Sequence, residues 1–297
     1  MRVWNRWWRW ISWSALVVAL TVLVQVGGKR LLTRQAAAAR EVIFAHDIGE
    51  ETPNGEKIYR RKASGRLELL VVGDSIAAGL GAERRRDTIG GRLAKEVARR
   101  TDTSVHLFTA AVVGAQTSEV LDQIDGLPGE YRPDLAIVIV GGNDVTHRVP
   151  ISRSVSALVE VITRLQDRGA DVVVATCPNL GAIRPLRQPL RTIAARRSAL
   201  LATAQRKAAL AHGARTVSLG RVVGRIFLAE PETMLGLDMF HPSPGGYRRI
   251  AQAMLPSVLA AVGETQDLPR GHYVPRSVRR AEREDSAGVR ELAGRSG

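Results

Sequence analysis

Four short segments carry residue types that can do chemistry together. The apolar run from Leu67 to Val72 ends in Gly73-Asp74-Ser75, and Val113 is followed by Gly114. The run up to Val140 ends in Gly141-Gly142-Asn143-Asp144, and Asp238-Met239-Phe240-His241-Pro242 stands near the carboxyl end. A serine where a strand turns into a helix exposes its hydroxyl and sets its amide at a positive helix end, which suits a nucleophile beside a developing oxyanion. The competing reading makes Ser75 a helix N-cap and the glycines a tight turn. Asn143 can aim its NH₂ at an oxyanion or close an Asx turn, and the Gly114 amide is a further donor. Asp238 can fold back onto the His241 imidazole, select the tautomer that leaves the other nitrogen facing a serine, and stabilise the imidazolium formed in reaction. Ser243 and Pro244 suit an N-cap and a first helical position, which fixes His241 at a loop-to-helix junction. Lone histidines are more often structural, and His46, His106, His147, His212 and His272 take that reading; Asp238 lifts His241 out of it.

Apolar runs of strand length at 67–72, 105–109, 135–140, 171–176 and 215–219 alternate with helical periodicity near 88–100, 117–125, 153–167, 191–211 and 245–262. This alternation predicts an α/β domain with a central parallel sheet covered on both faces. In such sheets function gathers beyond the carboxyl ends of the strands, where Ser75, Gly114 and Asn143 fall. Gly79 and Gly81 do not complete Gly-x-Gly-x-x-Gly, so a dinucleotide loop is rejected.

The chain has 297 residues, 45% hydrophobic and 24% charged, which places it among folding chains and far from disorder. Cys177 is its one cysteine, so neither an internal disulfide nor a cysteine-rich zinc site is available. The net charge of +14 is uneven: residues 1–40 hold +7 with no acid and residues 264–297 hold +1, which leaves +6 for residues 41–263. All five Trp lie within the first thirteen residues, so no basic stripe interleaved with stacking aromatics exists, and nucleic acid is not an expected partner. From Ile11 to Val26 twelve of sixteen residues are apolar and none is charged, with Arg9 and Lys29 at either side and Trp7, Trp8 and Trp10 as an aromatic belt. That pattern predicts one transmembrane anchor within residues 1–28, with cleavage near Ala36 to Ala39 and secretion as the alternative. Residues 29–65 read as a stem with a hairpin turn at Pro53-Asn54-Gly55, residues 66–263 as the α/β domain, and residues 264–297 as a polar, flexible tail.

The four segments, in this order and spacing, resemble the four blocks of the SGNH, or GDSL-type, serine hydrolases over about residues 66–263. The resemblance implies a flavodoxin-like three-layer α/β/α sandwich and an esterase or lipase needing no metal or cofactor; the membrane segment and stem in front, which many relatives lack, are read from residues 1–65 alone and make it a membrane-anchored bacterial member. By it Ser75 is the nucleophile, His241 the general base and Asp238 its orienting acid, while the Ser75 amide, Gly114 amide and Asn143 side chain form the oxyanion hole. The expected substrate is a small-molecule, lipid or glycan acyl ester; acyl transfer to a sugar hydroxyl or deacetylation is the alternative, and an idle tethered scaffold a third. Arg2, Arg6 and Arg9 can hold the amino end inside, which leaves the catalytic domain on the outer face of the cell membrane.

Overall fold

The computed structural model describes residues 4–45, 52, 53 and 56–278, of which 4–20 and 44 by backbone alone. A long helix α1 (Trp4–Ala45) precedes strands β1 (Lys57–Tyr59) and β2 (Arg66–Gly73). Then follow α2 (Ser75–Ala78), α3 (Ile89–Thr101), β3 (Ser104–Thr109), α4 (Val120–Asp125), β4 (Leu135–Ile139), α5 (Gly142–Thr146), α6 (Ile151–Asp167) and β5 (Asp171–Ala175). The chain continues through α7 (Leu190–Ala211), β6 (Arg215–Val217), the short helices α8 (Leu219–Val222), α9 (Gly224–Ala229) and α10 (Pro231–Met234), then α11 (Pro244–Ala261) and β7 (His272–Tyr273).

The sheet runs in the order β1-β3-β2-β4-β5-β6-β7. Its inner five strands are parallel and ordered as in flavodoxin-like folds, with the reversal of strand order between β2 and β4. Both faces are apolar because both are covered. Leu69, Val71, Ile137 and Val173 pack against Ile89, Leu93 and Val97 of α3 and Tyr247, Ile250 and Met254 of α11. Leu70, Val72, Val138 and Val174 pack against Ile124 of α4 and Leu158, Ile162 and Leu165 of α6. The buried positions of α3 and α6 recur at three- and four-residue spacing, so each helix presents one apolar stripe to the sheet. Thr88 starts α3 by accepting from the Gly91 amide at 3.0 Å.

The sheet is mixed rather than wholly parallel. β1, from the segment expected to be stem, pairs antiparallel with β3, and β7, from the segment expected to be tail, pairs antiparallel with β6. Strands of three and two residues are too short to show a period-two pattern, which is why they escaped the sequence. His272 of β7 is buried and its Nδ1 lies 2.7 Å from Ser257 Oγ of α11. Asn54 and Gly55 of the expected hairpin, and residues 279–297, lie outside the described residues. So do the side chains of much of the expected membrane anchor, and among the described residues no helix is long and apolar enough to cross a membrane.

Candidate active site

β2 and β4 deliver their carboxyl ends to one crevice at the reversal of strand order. Gly73, at φ +139°, ends β2 so close to β4 that a Cβ would stand 1.8 Å from the Ile139 carbonyl oxygen, and only glycine fits. Gln123 of α4 clamps it, accepting from the Gly73 amide at 2.9 Å and donating to the Gly73 carbonyl at 2.8 Å. The Asp74 amide donates to Ile139 O at 2.9 Å, and its side chain caps α2 by accepting from the Ile76 amide at 3.1 Å. The cap therefore belongs to Asp74, and Ser75, as first helical residue, keeps its hydroxyl for another partner.

That partner is His241, whose Nε2 lies 3.0 Å from Ser75 Oγ. The other ring nitrogen, Nδ1, lies 2.6 Å from Asp238 Oδ2, and Asp238 Oδ1 accepts from the Phe240 and His241 amides at 3.0 and 3.1 Å. A bridge between Leu235 and Pro242 closes the loop that carries them, and Ser243 caps α11 through the Gly246 amide at 3.0 Å. The buried Tyr247 hydroxyl donates to Leu80 O at 2.7 Å, tying the α2 side of the crevice to α11. Burial pulls the Asp238 carboxyl upward, but the hydrogen bond from His241 and the two amides outweigh it and hold the pKa below the ordinary carboxylate value.

Asn143, in α5, donates through Nδ2 to Ala115 O at 3.2 Å, and neighbouring Asp144 accepts from the Thr117 amide and hydroxyl at 3.1 and 2.9 Å. These bonds hold the turn that contains Gly114, at φ +84°, against the tip of β4. The Ser75 and Gly114 amides find no acceptor among the described residues. Ser75, Asn143 and His241 share a narrow cavity of about 70 Å³ with the polar Asp74 and Asn179, and its remaining walls are largely apolar, among them Leu180, Ile183, Phe227 and Phe240. Gly114 lines a neighbouring concavity instead. No three His, Cys, Asp or Glu side chains gather as metal ligands among the described residues.

Sequence reasoning passed over Asp74 and Asp144 as functional groups, and over Gln123 and Gln205 altogether. Gln205 accepts from the Cys177 amide at 2.7 Å and donates to Val140 O at 3.0 Å, which pins β4 and β5 where they enter the site. A glutamine on the buried stripe of a helix was the available signal, since a buried amide must find partners. Burial pushes the Asp74 carboxyl up to about 6, against the Ile76 amide, the His241 charge and the Gly142 amide, with Asp144 adding to the rise. A carboxyl raised from 3.8 stabilises the fold fully only below that value and loses the contribution as pH climbs through about 6. Asp74→Asn keeps the acceptor for Ile76 and removes the titration, so the unfolding free energy from urea titration at about pH 7, taken relative to that at about pH 4, should rise by up to about 3 kcal/mol over the unsubstituted protein. The same pH dependence in both proteins would show that Asp74 ionises in the fold as readily as in the unfolded chain.

The sequence block from residue 71 to 249 matches the model of the GDSL-like Lipase/Acylhydrolase family, and the chain belongs to that family. It is 34% identical over 267 residues to a GDSL-like esterase of Mycobacterium tuberculosis, a match that covers 86% of this chain and 84% of the relative. The fold is similar to the lipase/acylhydrolase of Enterococcus faecalis, with a TM-score of 0.55 at 18% identity over 68% of this chain and 100% of that one. It is also similar to the acetylxylan esterase Axe2 of Geobacillus stearothermophilus, with a TM-score of 0.51 at 16% identity over 65% of this chain and 95% of that one. The protein is thus a GDSL-like hydrolase of α/β architecture with a mixed central sheet.

Proposed function

We propose that this protein hydrolyses carboxylic esters through an acyl-enzyme on Ser75. The observation that carries the reading is the chain of contacts from Ser75 Oγ to His241 Nε2 at 3.0 Å and from His241 Nδ1 to Asp238 Oδ2 at 2.6 Å, opening on one apolar cavity. His241 takes the Ser75 proton as Oγ attacks the ester carbonyl, and Asp238 stabilises the imidazolium that results. The Ser75 amide, the Gly114 amide and the Asn143 NH₂ receive the developing oxyanion. His241 then protonates the departing alcohol, and water repeats the sequence to free the acid. Apart from Asp74 and His241 the cavity walls carry no ionisable side chain and are mostly apolar, which favours an uncharged, apolar acyl group. p-Nitrophenyl esters of graded chain length offered to the purified protein test this: saturable release of nitrophenolate is expected, and no turnover of any of them would remove the esterase reading.

Asn143 separates a catalytic from an architectural reading of the oxyanion hole. As a donor to the tetrahedral intermediate its loss in Asn143→Ala lowers kcat by about 10² to 10³ while KM barely moves. If its hydrogen bond to Ala115 O serves only to hold the turn, the change costs about 1 kcal/mol of stability and leaves turnover by the folded fraction intact.

The apolar run Ile11 to Val26, bracketed by Arg9 and Lys29, supports a membrane anchor with the catalytic domain outside the cell membrane. Reporter fusions after residue 45 check the topology. Activity of a reporter that works only in the cytoplasm would reverse it.

A further inference from the structure

The concavity between α1 and the loop after α5 is built from cations that no acid among the described residues neutralises. Lys29, Arg30 and Arg34 of α1 meet Arg148 of the catalytic domain around a space of about 520 Å³, with Val26 and Thr33 completing the wall. None of the four cations has an ion-pair partner among the described residues, and no acid lines the space. Arg148 is held in place: it follows α5 on a residue with φ +57°, and Arg197 of α7 donates to the next carbonyl, Val149 O, at 2.7 Å. Like charges gathered this way repel one another until an anion enters.

Which anion it is follows from what lies beside the cluster. Leu23 and Val24, two turns before Arg30 on the same helix, are 69% and 65% exposed, and Val22 and Val26 flank them in the open. At 1.5 Å per residue, Leu23 and Arg30 stand about 10 Å apart along the helix axis. A bilayer leaflet places its phosphates outside the acyl region by several ångströms, so the apolar side chains can lie among acyl chains while the cations reach the phosphates. A soluble polyanion would leave Leu23 and Val24 in water. We propose that Lys29, Arg30, Arg34 and Arg148 form a binding site for the phosphates of anionic phospholipid headgroups, seating the catalytic domain on the bilayer surface.

Arg148 gives the site its consequence, because it belongs to the catalytic domain rather than to the anchor. α1 is also fixed to that domain farther along: Gln35 donates to Gln188 O at 2.6 Å and accepts from the Leu190 amide at 3.3 Å, and Ala39 is buried. The gripped segment is the continuation of the loop whose Leu180 and Ile183 wall the apolar cavity. A headgroup shared by α1 and Arg148 therefore fixes the orientation of the whole domain, and a flexible tether could not. The proposal is independent of the ester chemistry at Ser75.

Flotation of the purified full chain with vesicles decides it, comparing phosphatidylcholine alone with phosphatidylcholine mixed with phosphatidylglycerol. The anionic vesicles should bind more tightly by about fivefold for each cation engaged, and about 0.5 M salt should erase the difference. Arg148→Gln should lose about fivefold on anionic vesicles and nothing on neutral ones, whereas Arg100→Gln, an exposed change outside the concavity, should lose nothing on either. An unchanged urea unfolding midpoint shows that the Arg148 variant is folded. Equal binding of the unsubstituted chain to both vesicles would overturn the proposal, as would equal losses for Arg148→Gln and Arg100→Gln. A dimer in neutral detergent that Leu23→Arg dissociates would assign the exposed apolar residues to a second copy and overturn it as well.

Discussion

Ser75→Ala should abolish ester turnover, with a loss of about 10⁴ to 10⁶ in kcat, while the domain stays folded. The size follows from the chemistry: without Oγ no acyl-enzyme forms, and the remaining donors only bind and polarise the carbonyl. The retained fold follows from the cap. Asp74 Oδ1 satisfies the Ile76 amide, so deleting the Ser75 hydroxyl removes one hydrogen bond to His241 and costs about 1 kcal/mol. A serine-reactive phosphonate should label Ser75 in the unsubstituted protein and leave Ser75→Ala unlabelled. Labelling of another residue, or undiminished turnover by a folded Ser75→Ala protein, would take Ser75 out of the mechanism.

The inner sheet was legible because its strands are buried on both faces and so read as unbroken apolar runs, each followed by a helix with an apolar stripe. Runs expected at 67–72, 105–109 and 135–140 became Arg66–Gly73, Ser104–Thr109 and Leu135–Ile139. The edges were not legible. Lys57–Tyr59 and His272–Tyr273 join the sheet through backbone hydrogen bonds to β3 and β6, and a backbone bond leaves no mark on residue choice. The site divides in the same way. Ser75, His241 and Asp238 could be singled out because four segments, each permissive alone, occur together in order and spacing, and because Asp238 stands three residues before His241. The supports were hidden because they act across the fold: Gln123 reaches fifty residues back to Gly73, and Asp144 reaches to Thr117. Asp74 was hidden for another reason. As part of the block that marks Ser75 it looked like context, and only burial shows it to be a carboxyl with a displaced titration.

Asp238→Asn should lower kcat by about 10⁴, and the argument rests on where its two oxygens point. Oδ1 accepts from the Phe240 and His241 amides, whereas Oδ2 faces His241 Nδ1. An asparagine can satisfy both amides only with its carbonyl oxygen in the Oδ1 place, which turns its NH₂ toward Nδ1. The imidazole must then accept at Nδ1 and carry its proton on Nε2, the nitrogen that faces Ser75 Oγ. A protonated Nε2 cannot take the Ser75 proton, so the loop keeps its shape and the base is lost. If Asp238 served only to cap the turn, Asn would be nearly neutral, because it preserves the acceptor for both amides. Turnover, urea midpoint and phosphonate labelling of Asp238→Asn measured together separate the cases. A stable protein that labels and turns over at the unsubstituted rate would show that Asp238 does not set the tautomer of His241.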